Sequence, residues 1–451
     1  GGAGGAPHSG RISRTLRQLS WDEVQALVAV LQQVSQSFIQ QELHVLRRTG
    51  QPLQYDGDLT GLPVSNNSQS YPHAAYGHMA DAIQLGYQAA VVSLQSPTYG
   101  RLWLSVEHHA GDTVSYTEAE ALVLAAEACT GLRPRRRTEL LQSRLAACVA
   151  HREAVEKRGN GQQVAVEQAE QAQQAVGQQL QEALPRPESK PTHLHTLEQR
   201  CARRAKAVEA AQQRLQKTQC QLLKLQAAEQ ALRQRLARFE QENAENTDPI
   251  AACFRLDAGF GTYNNIALLI ELGYEVYTKL PNHRSVLRLS HLVPPETPWT
   301  RVGHNAEMLA WAALSLEHCP YPLDVALERF HTGDTLKHSA LAHFGATAVT
   351  ADLPTWFHTY NQRQTIEAGI KEAKQVFYLQ HLKVRSEPAI YLQEALTVFA
   401  ANFIRWATPW IEQQITPQEN TLALAHMGIK QQVQVAAHTS AHVIHTSEGM
   451  L

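Results

Sequence analysis

No stretch of this 451-residue chain approaches the ~20 consecutive apolar residues that crossing a bilayer requires, and no secretory signal is visible. Cysteine is scarce. The six residues, Cys129, Cys148, Cys201, Cys220, Cys253 and Cys319, never fall in CxxC spacing, so neither a zinc site nor a disulfide framework is indicated. These absences suit a cytosolic protein with reduced, packing cysteines and no membrane association. Net charge is nearly absent too: 40 Lys and Arg against 42 Asp and Glu leave −2, so any contact with nucleic acid has to be local. A starting Met is lacking, and the opening GGAGGAPHSG is read as a tag remnant or truncation point, disordered in solution. What is present is length for more than one compact domain and for a sizeable core.

Residues 20–46 carry apolar residues at helical spacing, and Gly50-Gln51-Pro52 then interrupts the chain. LQYDGDLTGLPV reads as a strand ending in a turn, with Asp56 and Asp58 on one face. Two further strands are expected at residues 88–94 and 102–106, around the turn at 97–100. A helix is expected from Thr117, where Thr117 and Glu120 have capping-box spacing.

From residue 135 to about 246 the composition shifts to Gln, Ala, Glu, Arg and Leu. Val208, Ala211, Leu215, Thr218, Leu222, Leu225, Glu229, Leu232, Leu236 and Phe239 follow 3–4 spacing, a heptad seam with polar interruptions at Thr218 and Glu229. Leu141, Leu145, Cys148 and Val155 make an earlier seam. Breaks at Gly159-Asn160-Gly161 and across residues 185–191 imply helices folded back as an antiparallel coiled-coil arm, serving as a dimerisation or DNA-spanning element or as a spacer. At its root, Arg133-Pro134-Arg135-Arg136-Arg137 offers Arg135 and Arg136 to phosphates, or simply starts a solvated helix.

After the arm, ACFRLDAGFGT reads as an apolar strand ending in Asp257 and a Gly-rich turn, followed by a helix and a strand in a βαβ-like return. Gly259-x-Gly261 lacks the rest of a dinucleotide fingerprint and is a weak nucleotide signal. Residues 282–350 mix strand-like pieces, SVLRLSHL and DVALERF, with polar turns. A long helix is expected at 390–411, and the tail IKQQVQVAAHTSAHVIHT suggests one or two edge strands. His108, His109 and His283 fall near expected sheet ends, with surface or packing roles.

Residues 360–374 organise the rest. On one α-helix Tyr360, Arg363, Glu367 and Lys374 fall within an arc of roughly 60°, beside an apolar stripe of Ile366, Ile370, Ala373 and Phe377. Asp58, Asp257 and Glu367 then bring carboxylates from two strand ends and a helix, the donor set that hard cations such as Mg²⁺ prefer. Two such ions roughly 4 Å apart activate an attacking oxygen and stabilise the leaving one in phosphoryl transfer. Arg363 and Lys374 suit phosphate clamping, and Tyr360 suits a phosphate contact or base stacking. Each carboxylate alone is more often a solvated turn residue.

Tyr360-x2-Arg363-x3-Glu367-x6-Lys374 resembles the Tyr-Arg-Glu-Lys signature of bacterial insertion-sequence DDE transposases, the cut-and-paste, hairpin-forming branch with an RNase-H-like catalytic domain. YDGDLTGLP and FRLDAGFGT resemble the first and second aspartate motifs in the same order. The resemblance covers residues 48–120, 250–282 and 350–410. It implies that Asp58, Asp257 and Glu367 are catalytic and hold two Mg²⁺ ions, with Mn²⁺ able to substitute. The first aspartate is Asp58 or Asp56, and Asp58-Leu59-Thr60 fits the motif better. It implies DNA contacts from Tyr360, Arg363, Lys374 and the neighbouring Lys371, and from Trp299, where the family can hold a flipped base and where simple packing is the competing reading. It implies cleavage at transposon ends, a hairpin intermediate and strand transfer into target DNA. The partner is double-stranded DNA, bound by a homodimer in a synaptic complex, in a bacterial cytoplasm close to the nucleoid.

The expected fold is α/β: an RNase-H-like mixed sheet flanked by helices, with an inserted antiparallel helical arm and a second, smaller insertion. The expected divisions are an N-terminal tail and helix (1–47), core parts at 48–134, 249–282 and 351–415, the arm (135–248), a β-rich insertion (283–350) and a C-terminal segment (416–451). Competing readings are an RNase-H-like nuclease that does not integrate, a domesticated DNA-binding remnant, and a coiled-coil scaffold.

Overall fold

The structure, a computed structural model, describes residues 9–65, 71–79, 82–184, 191–280, 283–333, 335–382, 384–414, 427–438, 445–446 and 449–450. The chain divides into two compact units, Gly1–Arg135 with Asp248–Leu451, and Arg136–Thr247.

The first unit is mixed α/β. It opens with α1 (Ser9–Gln18) and α2 (Trp21–Arg48). Ser9 and Gly10, expected to be disordered, already belong to α1. The capping box expected at Thr117 is found instead at the start of α2: Ser20 accepts from the Glu23 backbone N–H, and Glu23 accepts from that of Ser20. Strands β1 (Leu53–Pro63), β2 (Ala75–Met79), β3 (Ala82–Ser96) and β4 (Gly100–Ala110) follow. β2 was not expected. Helix α3 (Ala119–Thr130) begins after a 3₁₀ turn, because Thr117 donates its hydroxyl to Val114 O and Glu118 and so does not cap the helix.

Beyond the arm come β5 (Ala252–Leu256), α6 (Tyr263–Glu271) and β6 (Glu275–Lys279). β1, β3 and β4 form an antiparallel meander, while β5 runs parallel to β1, and β6 parallel to β5. Residues 283–350, expected as a β-rich insertion, hold one α-helix and four strands among the described residues, and those strands continue the same sheet. SVLRLSHL lies in a helix, α7 (His283–His291), whose Leu289 is buried, since a short apolar run fits either period. His283 opens α7, and its side chain lies outside the described residues. The rest becomes β7 (Thr300–Arg301), β8 (Ala306–Leu314), β9 (Leu323–Thr332) and β10 (Thr335–Phe344), and β10 pairs antiparallel with β6. One sheet of ten strands results, in the order β2-β3-β1-β5-β6-β10-β9-β8-β7, with β4 also on β3.

Helices α8 (Leu353–Asn361), α9 (Gln364–Gln375) and α10 (Glu387–Gln414) complete the unit. One core gathers Val24, Tyr87, Val91, Trp103, Ile366, Ile370 and Ala401, so the apolar stripe of α9 seats on the meander. A second gathers Cys253, Tyr277, Met308, Leu341, Trp356 and Tyr360 under α8. The tail differs from expectation: residues 429–438 form helix α11 (Ile429–His438), and only β11 (His445–Thr446) and β12 (Gly449–Met450) pair, with each other. Residues 439–444 of that expected segment lie outside the described residues. The His108 side chain is buried and bonds Glu394 at 2.8 Å, a packing role.

The second unit is a pair of long helices, α4 (Thr138–Ala183) and α5 (Pro191–Glu245). Contacts run antiparallel, from Arg136 with Glu242, through Arg152 with Glu229, to Glu170 with Gln212. Val155, Val208, Thr218, Leu232 and Phe239 on the expected seams are buried. Gly159-Asn160-Gly161 does not break α4, contrary to expectation: a mid-helix Gly costs only about 1 kcal/mol, and Gly159 packs beside Thr218. Among the described residues, no helix is long and apolar enough to cross a membrane.

Candidate active site

Two aspartates meet because two parallel strands share a register. Asp56 on β1 stands opposite Arg255 on β5. Two residues further along each strand, on the same faces, come Asp58 and Asp257. Asp58 is buried within β1, while Asp257 follows β5 and turns the chain, its Oδ1 accepting from Gly259 N at 2.9 Å and Phe260 N at 3.3 Å.

The Gly-rich turn here is steric in origin. A Cβ on Gly261 would lie 2.0 Å from the carbonyl oxygen of Lys279, a backbone atom that cannot yield without moving β6. Gly261→Ala is expected to lower stability by about 1–3 kcal/mol, the usual cost of overpacking, measurable as a shift in the urea midpoint at unchanged m-value.

The Tyr-Arg-Glu-Lys residues do not share one helix as expected. Tyr360 lies in the last turn of α8, Arg363 caps α9, and across the junction the chain tightens into i→i+3 bonds, Arg363 N to Tyr360 O and Ile366 N to Arg363 O. Arg363 is buried and bridges two of the carboxylates, reaching Asp58 Oδ2 at 3.1 Å and Glu367 Oε1 at 2.9 Å. Its Nε is buried with no hydrogen-bond partner. The Glu367 side chain, 60% exposed, faces solvent. Tyr360 is buried, its hydroxyl 3.4 Å from Leu256 O and its ring under Lys279; it holds the end of β5 and presents no free face to a base. Lys374 donates to Gly61 O at 2.9 Å, tying α9 to β1, and burial lowers its pKa, with Asp58 opposing.

Electrostatically the acidic set is strained. Burial pushes Asp58 up to about 7; Arg363 opposes the shift, and Asp257 and Glu367 add to it. Arg363 itself stays charged, its pKa raised against the effect of burial by Asp58 and the other acids. Among the described residues no three acidic, His or Cys side chains are gathered closely enough to hold a metal ion, and the guanidinium stands between Asp58 and Glu367. In donor chemistry the set fits a hard divalent cation: three carboxylates from three parts of the chain, one of them buried.

Asp56 is not a competing ligand. It is fully buried and taken up by Arg255, Nε to Oδ1 at 2.7 Å and the terminal nitrogen to Oδ2 at 2.9 Å. Arg255 also donates to Gln95, Thr359 O and Gln362, the last two at the α8–α9 junction beside Arg363. Reasoning from sequence missed Arg255, although a charge in the midst of ACFRL, every residue of which is buried, was the signal.

The remaining expected DNA contacts are placed as follows. Lys371 and Arg135 are exposed. Arg136 is buried in the arm, bonding Glu242 at 2.5 Å and lying over the ring of Phe239, so it does not offer itself to phosphates. Trp299 is half-buried, with the Arg329 guanidinium 4.3 Å from its ring centre, a packing contact.

No protein-family model matches the chain, and no curated protein matches it. A solved structure, the outer membrane protein VceC from Vibrio cholerae, is similar at 12% identity over 87% of this chain and 92% of its own, with a TM-score of 0.11 that says nothing of the fold.

Proposed function

We propose that this chain is an RNase-H-like DDE transposase that cuts double-stranded DNA at transposon ends and joins the cut end to target DNA. The observation that carries the reading is the acidic set itself: Asp58 on β1 interacting with Asp257 just past the end of the parallel strand β5, with Glu367 linked to Asp58 through Arg363. The sheet supports the finer fold assignment, since an antiparallel meander β4-β3-β1 is extended from its first strand by parallel β5 and β6.

Asp58, Asp257 and Glu367 would hold Mg²⁺ or Mn²⁺. Such ions supply activation of the attacking oxygen and neutralisation of charge on the leaving one. The protein's own groups do the positioning. Lys374 fixes α9, and with it Glu367, against the strand that carries Asp58. Arg363 carries a spare, buried Nε–H and a charge suited to a phosphate oxygen. In each step an oxygen nucleophile forms a bond to phosphorus as the bridging 3′-oxygen leaves with its electron pair: water for the first nick, the freed 3′-hydroxyl for the hairpin, water again to open it, and the regenerated 3′-hydroxyl for joining to target DNA. The reading brings with it a homodimer on paired ends and a cytoplasmic, nucleoid-associated location.

Incubation of a labelled duplex carrying the element's own ends, in Mg²⁺ or in EDTA, tests this. Wild type is expected to give nicks and hairpins only with metal, and Glu367→Gln to bind the duplex without cutting it. Nicks without hairpins or joined products would favour the nuclease of the same fold. Binding without cleavage by wild type would reduce the protein to a DNA-binding remnant.

A further inference from the structure

We infer that the outer face of α5 in the arm is a docking surface for the phosphate backbone of duplex DNA. The chain as a whole is near neutral, yet residues 200–224 hold seven basic residues, Arg200, Arg203, Arg204, Lys206, Arg214, Lys217 and Lys224, against a single acid, Glu209. All seven are exposed. Relative to the seam through Val208, Ala211, Leu215 and Thr218, Arg203, Lys206, Lys217 and Lys224 occupy the outward heptad positions c and f, and Arg200 and Arg214 the flanking g, together an arc of roughly 100°. Only Arg204 departs from it.

Pairing separates this face from an ordinary solvated helix surface. Elsewhere several of the arm's cations sit on carboxylates: Arg152 bonds Glu229 and Glu156, Arg233 bonds Glu229, and Arg136 bonds Glu242, while Lys157 and Arg158 are exposed without an ion pair among the described residues. Among the described residues none of the seven cations of 200–224 makes an ion pair. Unpaired like charges side by side on a helix repel one another and cost stability, so their alignment calls for an anion brought from outside. Gln213, Gln216 and Gln221 flank Lys217 and Lys224 along a shallow groove and add neutral donors for phosphate oxygens.

The dimensions suit a duplex. Arg203 to Lys224 spans about 30 Å at 1.5 Å per residue, close to the ~34 Å of one turn of B-DNA. A straight rod of charge matches a regular polyanion, and side chains on one helix face reach phosphates without reading bases, so the contact is independent of sequence. The choice of DNA among polyanions rests on the transposase reading above.

The test uses the full chain and a random-sequence duplex of about four helical turns, in EDTA, over a range of salt concentrations. The variant is Arg203→Gln, Lys206→Gln, Arg214→Gln, Lys217→Gln and Lys224→Gln together. Gln is a good helix former at exposed sites, so circular dichroism should confirm an unchanged arm. The slope of log K against log salt is expected to flatten by about 3–5, near 0.9 for each phosphate no longer neutralised, and affinity in low salt to fall about 100-fold or more. Unchanged slope and affinity would overturn the surface, as would wild type that binds phosphatidylserine vesicles but not the duplex. Cleavage by wild type, assayed in parallel, separates the two ideas. Duplex binding lost in the variant while wild type never cuts upholds the arm and sinks the transposase. Normal cutting with binding unchanged in the variant does the reverse.

Discussion

Replacing Asp58 with Asn is expected to end metal-dependent cleavage and, in the metal-free protein at pH 8, to raise the melting temperature. The first effect follows from the proposed function, in which Asp58 would hold the metal ions; the loss of several kcal/mol of transition-state stabilisation would slow cleavage by about 1,000-fold or more. The second follows from the cost of that same carboxylate. Burial, countered by Arg363 and reinforced by Asp257 and Glu367, lifts Asp58 from 3.8 to about 7. Between those values the folded protein keeps a proton that the unfolded chain has released. Stability therefore falls as pH rises through that window and stays low above it. Asn carries no charge to bury, so its stability should be flat across the window and higher at pH 8, by on the order of 4 kcal/mol at 1.36 per pH unit. Mg²⁺ should raise the melting temperature of wild type and leave that of Asp58→Asn unmoved. A variant less stable than wild type at pH 8, or equal stabilisation of both by Mg²⁺, would remove Asp58 from the metal-binding role.

Much of the site could be read as a set of residues but not as an arrangement. Spacing alone picked out Tyr360, Arg363, Glu367 and Lys374, because local sequence carries the signature. Helical arithmetic placed them on one continuous face and could not foresee the i→i+3 tightening at residues 360–366, which divides α8 from α9 and puts Arg363 between Asp58 and Glu367. Strand alternation set Asp56 and Asp58 on one face and the motif favoured Asp58, yet that Asp56 is taken up by Arg255, a partner 199 residues away, was not legible. The heptad seam of the arm was legible because its period is local. Extension of the sheet through residues 300–344 was not, since pairing of β10 with β6 is a tertiary event that no short window encodes. Arg136 misled for a related reason: a run of arginines reads as exposed charge until Glu242 and Phe239 arrive from the far end of the hairpin.

Asp56→Ala is expected to be the most destabilising single change in the catalytic unit, and Arg255→Met to repair much of it. Both groups are fully buried and bonded through two nitrogen–oxygen pairs. Removing the carboxylate leaves a guanidinium sealed from water with the Arg101 charge close by, since Arg101 lies 3.8 Å from Asp56 in the intact protein. Breaking such a pair costs about 3–5 kcal/mol, most of it from the stranded charge. Replacing Arg255 as well removes that charge while Met keeps apolar volume in the strand. The double variant should therefore be more stable than Asp56→Ala, and the cycle should show a coupling of about 2 kcal/mol or more. Losses that simply add would mean that the two side chains act independently. The double variant also isolates the link to the site. Thr359 and Gln362 no longer accept the Arg255 hydrogen bonds that hold the α8–α9 junction, so even a well-folded double variant should cut more slowly while binding duplex at wild-type salt dependence. Wild-type cutting by that protein would mean that the junction holds Arg363 without Arg255.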